Sequence, residues 1–393
     1  MSNALIDRSP DLKKLRDEGY DIEIRHNHLL VKDVPYLNSR KEVRRGILVS
    51  ALTLAGDVTA KPDTHVVYFI GEYPCHKDGS EIGQIKNQTG NEMRGGPDLV
   101  INHTFSAKPT EAFKDYHEKM VTYVAMLSGP AQTIEPGVTA ITFPANETAE
   151  GESVFNYVDT ASSRAGIDDL TKKLELGKIA IVGLGGTGSY ILDLVAKTPV
   201  KEIHLFDGDK LFNHNAFRAP GAPSIEELRQ KPPKVDYFKA IYSKMHRHII
   251  SHDIYMDAAN LGQLQGMAFV FLSLEGKIKQ LIIERLEEWN IPFIDVGMGV
   301  DLVDGALHGI LRVTSSTTKK RDHVRGKNRI PFVNGAGDDD YSRNIQIADL
   351  NALNATLAVI KWKKLLGFYH DFEREHFSAY TTDTDSMVNE DQV

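Results

Sequence analysis

The sequence predicts an α/β protein in which a mostly parallel sheet is preceded by a smaller α+β domain. From residue 178 onward, short apolar runs alternate with helical segments, as a parallel sheet with crossover helices requires. Residues 20–145 mix β-branched and aromatic runs with helical spacing, which is typical of an α+β domain. A polar stretch at residues 144–151 indicates a linker. We therefore expect an N-terminal domain over residues 1–150, a second domain over 151–380 and a disordered tail over 381–393.

Individual elements of the first domain follow from local patterns. The charged segment at residues 5–19 predicts a helix, and apolar spacing predicts helices at 43–55 and 110–127. Runs of β-branched and aromatic residues predict strands at 28–31, 66–70, 98–101 and 140–143. The order of these elements could suit a module that recognises a cargo or partner protein, including one like a ubiquitin-conjugating enzyme.

The second domain contains the stronger signals. Strands are predicted at residues 178–182, 267–274, 291–296 and 309–313, and a closing helix at 347–366. The Ser/Thr-rich residues 314–318 and the basic segment after them predict a mobile crossover.

Composition excludes several classes of protein. The 393 residues are 41% hydrophobic and 25% charged, which is ordinary for a globular chain of about two domains. The formal net charge of −8 argues against a dedicated nucleic-acid binder. No apolar run is long enough for a membrane span, and no signal peptide is evident, so we expect a cytoplasmic protein. The one cysteine, Cys75, rules out a disulfide framework and a four-cysteine structural zinc site.

A glycine-rich turn at residues 183–189 carries the most information about function. Gly183, Gly185, Gly186 and Gly188 lie between an apolar run and a helical segment. Such a turn lets backbone N–H groups at a helix N-terminus approach the phosphates of a nucleotide. The next apolar run ends in an Asp-Gly-Asp tip at residues 207–209, and a carboxylate in that position can hold a ribose. The turn alone would fit a nicotinamide dehydrogenase equally well.

The residues that follow favour a triphosphate. Asn215, Arg218 and Lys234 come in order behind the acidic tip, and guanidinium and ammonium groups suit phosphate oxygens. Over residues 160–365 the sequence thereby resembles the ThiF/MoeB superfamily of adenylyltransferases, which includes ubiquitin-activating enzymes. Two departures are visible, because His214-Asn215-Ala216 replaces Ser-Asn-Leu and Lys231-Pro-Pro-Lys234 replaces a glycine-led segment.

The resemblance implies a role for each matched residue. It implies that ATP lies on the glycine turn and that Mg²⁺ lies near Asp209 and Glu275, where Glu275 replaces the usual Asp. The other implied assignments are the ribose for Asp207, an amide contact for Asn215, exposed phosphate-binding cations at Arg218 and Lys234, and for Arg164 a contact with the phosphates across a homodimer interface.

The reaction implied by the resemblance is adenylation of a C-terminal glycine carboxylate. The expected partner is a ubiquitin-like or sulfur-carrier protein ending in Gly-Gly, with a conjugating enzyme as a further candidate. After adenylation the acyl group could pass directly to a partner, to a hydroxyl at Ser315 or Ser316, or to Cys75; the first of these is favoured. A non-catalytic scaffold and a nicotinamide- or flavin-linked oxidoreductase remain alternatives.

Overall fold

A computed structural model describes residues 2–94, 96–148, 150–332 and 345–393. The chain divides into two compact units. The first comprises Met1–Glu152 with Tyr157–Gly166, and the second comprises Ser153–Asn156 with Ile167–Val393. In the described part of the chain, no helix is both long enough and apolar enough to cross a membrane.

The first unit is built on a six-stranded antiparallel sheet with the order β1-β2-β3-β6-β8-β7. Its helices are α1 (Ser2–Arg8), α2 (Pro10–Asp17), α3 (Tyr116–Ile134) and α4 (Thr160–Arg164). Its strands are β1 (Ile22–Arg25), β2 (His28–Leu37), β3 (Val43–Ala51), β4 (Leu54–Ala55), β5 (Val58–Thr59), β6 (Val66–Ile70), β7 (Lys86–Met93) and β8 (Val100–Ser106).

The predicted helix at residues 43–55 is wrong, because this segment forms β3 and β4. Strand β3 lies inside the sheet between β2 and β6, and both of its faces are covered. Leu48 packs into a core with the long helix α3, whereas Val49 packs into a separate cluster with Leu99 and Ile101. Apolar residues on both faces hide the alternation that normally reveals a strand. The predicted strand at 140–143 is reduced to one bridge, from Ile141 to Tyr20.

The second unit contains an eight-stranded sheet with the order β11-β10-β9-β12-β13-β14-β15-β16. The first five of these strands are parallel, and β13 to β16 are joined in antiparallel pairs. The strands are β9 (Lys178–Val182), β10 (Glu202–Phe206), β11 (Ile249–His252), β12 (Phe269–Leu272), β13 (Phe293–Val303), β14 (Ala306–Ser316), β15 (Phe377–Thr381) and β16 (Ser386–Glu390).

Helices cover both faces of the parallel part of this sheet. The helices of this unit are α5 (Asp168–Thr171), α6 (Gly186–Val195), α7 (Asn213–Ala216), α8 (Ile225–Gln230), α9 (Lys234–Tyr242), α10 (Ile278–Glu288), α11 (Asp322–Gly326) and α12 (Ala348–Leu365). Ile179 and Ile181 of β9 pack with α6, α9 and α12, whereas Ala180 and Val182 pack with α10. Alternate residues of β9 thus pack into two separate hydrophobic cores, as expected for a doubly wound α/β sheet.

Two predictions near the end of the chain are wrong. The tail predicted to be disordered over 381–393 contains β16, which pairs along its length with β15. Residues 314–316 of the predicted mobile crossover belong to β14, where Ser315 and Ser316 are buried. Polar composition suggested loops in both places, but hydrogen bonds to neighbouring strands of the sheet determine their structure.

Candidate functional site

A cavity of about 300 Å³ opens at the carboxyl edge of the parallel sheet. Central strand β9 is followed by β10 on one side and β12 on the other, so the chain winds outward in opposite directions from this point. Ligands of open α/β sheets bind at such a switch point. The cavity is lined by the segments that follow these strands, including Gly183, Gly185, Thr187, Asp207, Gly208, Asp209, Tyr255, Met256, Ser273, Glu275, Gly297 and Gln346.

The glycine turn is shaped by close backbone contacts. Gly183 has φ +90°, and a Cβ there would overlap the carbonyl of Ser273. A Cβ at Gly188 would overlap the carbonyl of Gly183, so the turn and α6 can approach only without side chains at both positions. Gly185 differs, because no atom lies within 4 Å of the position its Cβ would take. Since Gly185 also lines the cavity, the open space lies where α6 begins.

A buried amide supports the start of α6. Asn351 is fully buried, and a Cβ at Gly186 would overlap its side chain. Its Oδ1 accepts a hydrogen bond from Thr187 Oγ1 at 2.8 Å, and its Nδ2 donates to the carbonyl of Arg218 at 3.4 Å. Asn351 therefore fixes the first turn of α6 against the segment that carries Arg218. The unsatisfied N–H groups of that first turn are available to an anion.

Asp207 supports the glycine turn directly. Its Oδ2 accepts from the backbone N–H of Leu184 at 2.6 Å, and its Oδ1 accepts from the N–H of Asp209 at 2.8 Å. Burial raises the pKa of Asp207, and Lys234 together with these N–H groups offsets only part of that rise. Each oxygen retains a further lone pair, so the carboxylate can still accept a hydroxyl from a ligand.

Lys234 is buried rather than exposed, which corrects one expectation. It begins α9 with only 2% of its surface accessible. Its Nζ lies 2.6 Å from Asp209 Oδ2 and 3.7 Å from Asp207 Oδ1. Burial alone would raise the pKa of Asp209, but hydrogen bonds from Lys234 and Tyr255 outweigh that effect and lower it. The predicted acids and lysine thus meet in one ion cluster.

Asn215 and Arg218 lie beside the cavity rather than in its lining. The buried Asn215 accepts from the backbone N–H of Phe212 at 2.8 Å, so its amide oxygen caps the short helix α7. Arg218 is half-buried, and its Nε is buried without a hydrogen-bond partner among the described residues. A buried polar atom without a partner is uncommon and is consistent with a ligand that supplies one.

Glu275 lines the cavity and is exposed. It follows β12 in the short connection to α10. Within the described residues, no group of three or more His, Cys, Asp or Glu side chains could by itself hold a metal ion. Mg²⁺ often binds through only one or two carboxylates plus substrate phosphates, so this arrangement fits a magnesium ion brought with a nucleotide.

Of the four remaining predicted residues, Arg164 and Cys75 belong to the first unit, and Ser315 and Ser316 belong to the second. Arg164 ends α4 in the first unit, where it is exposed and its guanidinium lies 5.5 Å from the Phe143 ring centre. Cys75 is buried, and burial together with nearby carboxylates raises the pKa of its thiol. Ser315 and Ser316 are at most 1% exposed, which disfavours both as acyl acceptors.

Tyr255 was not predicted and is a prominent part of the site. Its hydroxyl donates to Asp209 Oδ1 at 2.6 Å, and that bond raises the pKa of Tyr255 to about 12. A Cβ at Gly208 would lie 2.6 Å from the Tyr255 ring. The middle residue of the Asp-Gly-Asp tip is therefore a glycine because the ring lies over it. That glycine was the one signal in the sequence for the contact.

A second group missed from the sequence lies behind the cavity wall. Asp295 of β13 is fully buried between Lys279 Nζ and Arg312 Nη2, each 2.9 Å from a carboxylate oxygen. A Cβ at Gly297, which lines the cavity, would overlap the Arg312 guanidinium. These three residues are far apart in sequence and share no motif, so only the fold reveals the cluster.

A parallel sheet with a glycine turn and an acidic tip at its switch point defines a nucleotide-binding α/β domain. Residues 160–258 match the model of the ThiF family, and residues 10–160 match a family described as a domain of unknown function, DUF6791. Residues 160–258 are therefore similar to the ThiF family, and this match supports a general role in adenylation. Curated protein sequences gave no significant match.

The solved structures to which this chain is similar include MccB and PaaA. Escherichia coli MccB with ATP is 17% identical, with a TM-score of 0.44 over 57% of this chain and 66% of that one. The microcin C7 biosynthetic enzyme MccB with N-formylated MccA is 17% identical, with a TM-score of 0.47 over 59% and 70%. Selenomethionine PaaA is 18% identical, with a TM-score of 0.44 over 57% and 76%. At these values the similarities do not define a function.

Proposed function

We propose that the second unit binds ATP in the carboxyl-edge cavity and adenylates the C-terminal carboxylate of a protein substrate. The observation that carries this proposal is the glycine turn, which leaves open space at Gly185 where α6 begins. The ThiF family match over residues 160–258 supports the same class of reaction. ATP fits because the N–H groups at the start of α6 can face its phosphates. The half-buried Arg218 lies beside the cavity with its Nε unpartnered among the described residues, and Lys234 can bind a phosphate oxygen if it exchanges a carboxylate partner.

The proposed step forms one bond and breaks another. A carboxylate oxygen of the substrate attacks the α-phosphorus of ATP, and the bond to the β-phosphate oxygen breaks. The products are an acyl-adenylate and pyrophosphate, so no oxidant or general base is required. The main barrier is repulsion between two anions, which Arg218 and the N-terminus of α6 can reduce. When bound, Mg²⁺ would neutralise phosphate charge, with Asp209 and Glu275 as its candidate carboxylates.

The substrate that we propose is a ubiquitin-like or sulfur-carrier protein ending in Gly-Gly. Glycine has no side chain, so a Gly-Gly tail can enter a narrow cavity. We further propose direct transfer of the acyl group to a partner, because Cys75, Ser315 and Ser316 are all buried. A homodimer in which Arg164 reaches the phosphates of the partner copy stays part of the proposal. Light scattering that shows a monomer at micromolar concentration would contradict the dimer.

The test of nucleotide binding uses two glycines with equal free space. Neither Gly185 nor Gly262 has an atom within 4 Å of the position of a Cβ. Gly185→Leu places a side chain in the cavity, and we expect it to abolish ATP binding measured by calorimetry. Gly262→Leu is the matched control and should bind ATP like the wild type. Tight binding of NAD with no binding of ATP would support the oxidoreductase alternative instead.

A scaffold without catalysis is the second candidate. It is favoured by one observation, because the charge of Lys234 is already balanced by Asp209 and Asp207. Pyrophosphate exchange into ATP, measured with candidate Gly-Gly proteins, separates the two. Exchange supports the enzyme, whereas tight ATP binding without exchange for any of these proteins supports the scaffold.

A further inference from the structure

A second cavity, of about 490 Å³, lies at the opposite edge of the sheet in the second unit. Leu176, Ala268 and Pro292 line it, and they stand just before β9, β12 and β13 respectively. It is therefore at the amino ends of the strands, roughly 15 Å along β9 from the carboxyl edge at about 3.3 Å per residue. We call it the amino-edge cavity. The nucleotide chemistry proposed above leaves it unused.

The inner wall of the amino-edge cavity is apolar. Leu176, Phe269, Pro292, Leu365 and Leu366 supply hydrocarbon surface from the sheet and from the end of α12. Sites for small organic molecules usually have about this volume and this kind of wall, with a few polar groups that fix orientation. The wall therefore suits the apolar body of a small molecule.

Two cations stand at the rim without partners. Lys319 and Arg374 line the cavity and are exposed, and neither side chain has an ionic or hydrogen-bonding partner among the described residues. Arg374 has φ +50°, which is uncommon for a residue with a side chain. Its backbone N–H donates to Asp371 Oδ1 at 3.1 Å, so a fixed turn holds this arginine at the rim.

The other charged groups nearby balance each other. Lys361 and Lys364 form ion pairs with Asp371 and Glu375, two cations against two carboxylates. The buried His376 donates from Nδ1 to the Arg374 carbonyl at 3.2 Å, and its Nε2 lies 3.3 Å from Thr317 Oγ1.

Burial and repulsion from Lys361 lower the pKa of His376 to about 4, so it is neutral near pH 7. Among the described side chains that line the cavity, the charged ones without an ion-pair partner are those of Lys319 and Arg374, and both are positive.

We propose that the amino-edge cavity binds an organic carboxylate with an apolar body. The hydrocarbon part lies against the wall formed by Phe269, Pro292 and Leu366, and the carboxylate lies between Lys319 and Arg374. Burying hydrocarbon supplies most of the affinity, while the two cations select an anion over a neutral molecule of the same shape. This site is separate from the nucleotide cavity and does not depend on the function proposed for it.

The experiment uses two probes on the full chain. The first is the fluorescent anion 8-anilinonaphthalene-1-sulfonate, and the second is decanoate, which should displace it. Decanol, which has the same chain without the charge, should displace it about fivefold less well, since a partly exposed ion pair contributes about 1 kcal/mol. Arg374→Ala with Lys319→Ala should weaken the binding of decanoate by about fivefold but leave that of decanol unchanged.

Two further variants test whether the probes bind in the amino-edge cavity. Lys244→Ala removes an exposed cation elsewhere in the second unit and should bind like the wild type. Thr318→Trp places a large ring at the exposed rim and should block both probes. The proposal is overturned if decanoate and decanol displace the dye equally, or if the Lys319/Arg374 double variant binds decanoate like the wild type. Displacement of the dye by ATP, with no effect of Thr318→Trp, would place the probe in the nucleotide cavity and would also overturn it.

Discussion

Two buried lysines, one in each unit, show how differently the two regions use charge. Lys234 lies beside Asp207 and Asp209, two carboxylates that line the carboxyl-edge cavity. Lys119 of the first unit is fully buried, and its Nζ donates to Ser50 Oγ at 2.9 Å and to the Thr64 carbonyl at 2.8 Å. Lys234 balances the negative charge of two carboxylates, whereas Lys119 is a buried cation whose hydrogen-bond acceptors are neutral.

The partners of each buried lysine indicate whether it belongs to a functional site or only to the packed interior. A buried ion cluster that opens into a cavity can exchange partners when a charged ligand arrives. A buried lysine held by a hydroxyl and a carbonyl has no such alternative, and burial lowers its pKa to about 8. A buried charge is therefore evidence of function only where its partners also reach an opening.

The largest expected effect comes from removing the charge of Lys234. Lys234→Met should destabilise the protein by about 3 kcal/mol, because it leaves the buried Asp207 and the partly exposed Asp209 without their cation. Asp209→Asn in the same chain removes one of those carboxylates, so the double variant should recover part of the loss. Urea unfolding measures both. If Lys234→Met is as stable as the wild type, the ion cluster does not contribute to the fold.

For Lys119 we expect a contribution to the free energy of unfolding that depends on pH. Its folded pKa of about 8 lies below the ordinary lysine value of 10.5, so the unfolded chain binds more protons between those values. Stability therefore rises with pH over this range, by about 2 kcal/mol from pH 8 to pH 10. Lys119→Met removes the titrating group, so the difference in unfolding free energy from the wild type should change by that amount.

The control for Lys119 is Lys108→Met, which removes an exposed lysine of the same unit. Its difference from the wild type should stay constant with pH. A constant difference for Lys119→Met as well would mean that the lysine is solvated in the folded state, and the contrast with Lys234 would then disappear.

Features whose residues are close together in the sequence could be predicted, whereas contacts that the fold brings together could not. The strand at 178–182, the glycine turn and the acids at 207 and 209 were predictable because they are consecutive in the chain. The burial of Lys234 was not, because it follows from the approach of α9 to the end of β10. Tyr255 and Asp295 reach their partners only through the fold, and β3 was missed because both of its faces are covered.

A smaller effect is expected for the hydrogen bond from Tyr255 to Asp209. Tyr255→Phe keeps the ring over Gly208 but removes the donor, and Gly208→Ala pushes the ring away. Each should cost about 1 kcal/mol and raise the pKa of Asp209, as measured by carboxyl NMR titration. Because both changes break the same bond, the double variant should cost no more than the larger single change.

Tyr369→Phe, at an exposed tyrosine of the same unit, is the control and should change neither quantity. Additive costs for Gly208→Ala and Tyr255→Phe would show that the two residues act independently. The hydrogen bond would then be a surface contact with no role in positioning Asp209.

The smallest effect is expected at Cys75, which tests whether the first unit carries reactive groups at all. Its thiol is 1% exposed and donates to the Tyr73 carbonyl at 3.4 Å. Burial raises its pKa, so the thiolate that would attack an acyl-adenylate is scarce at neutral pH. Cys75→Ala should therefore cost about 1 kcal/mol or less of stability and leave pyrophosphate exchange and conjugate formation unchanged.

Native and urea-unfolded chains provide the direct readout for Cys75, since iodoacetamide should alkylate the thiol only after unfolding. Rapid alkylation of the native chain would show that the thiol becomes accessible to solvent and would support Cys75 as an acyl carrier. So would loss of a reductant-sensitive adduct in Cys75→Ala while exchange survives. If labelling is slow and conjugation survives the substitution, Cys75 resembles Lys119, a chemically reactive group that the first unit uses for packing alone.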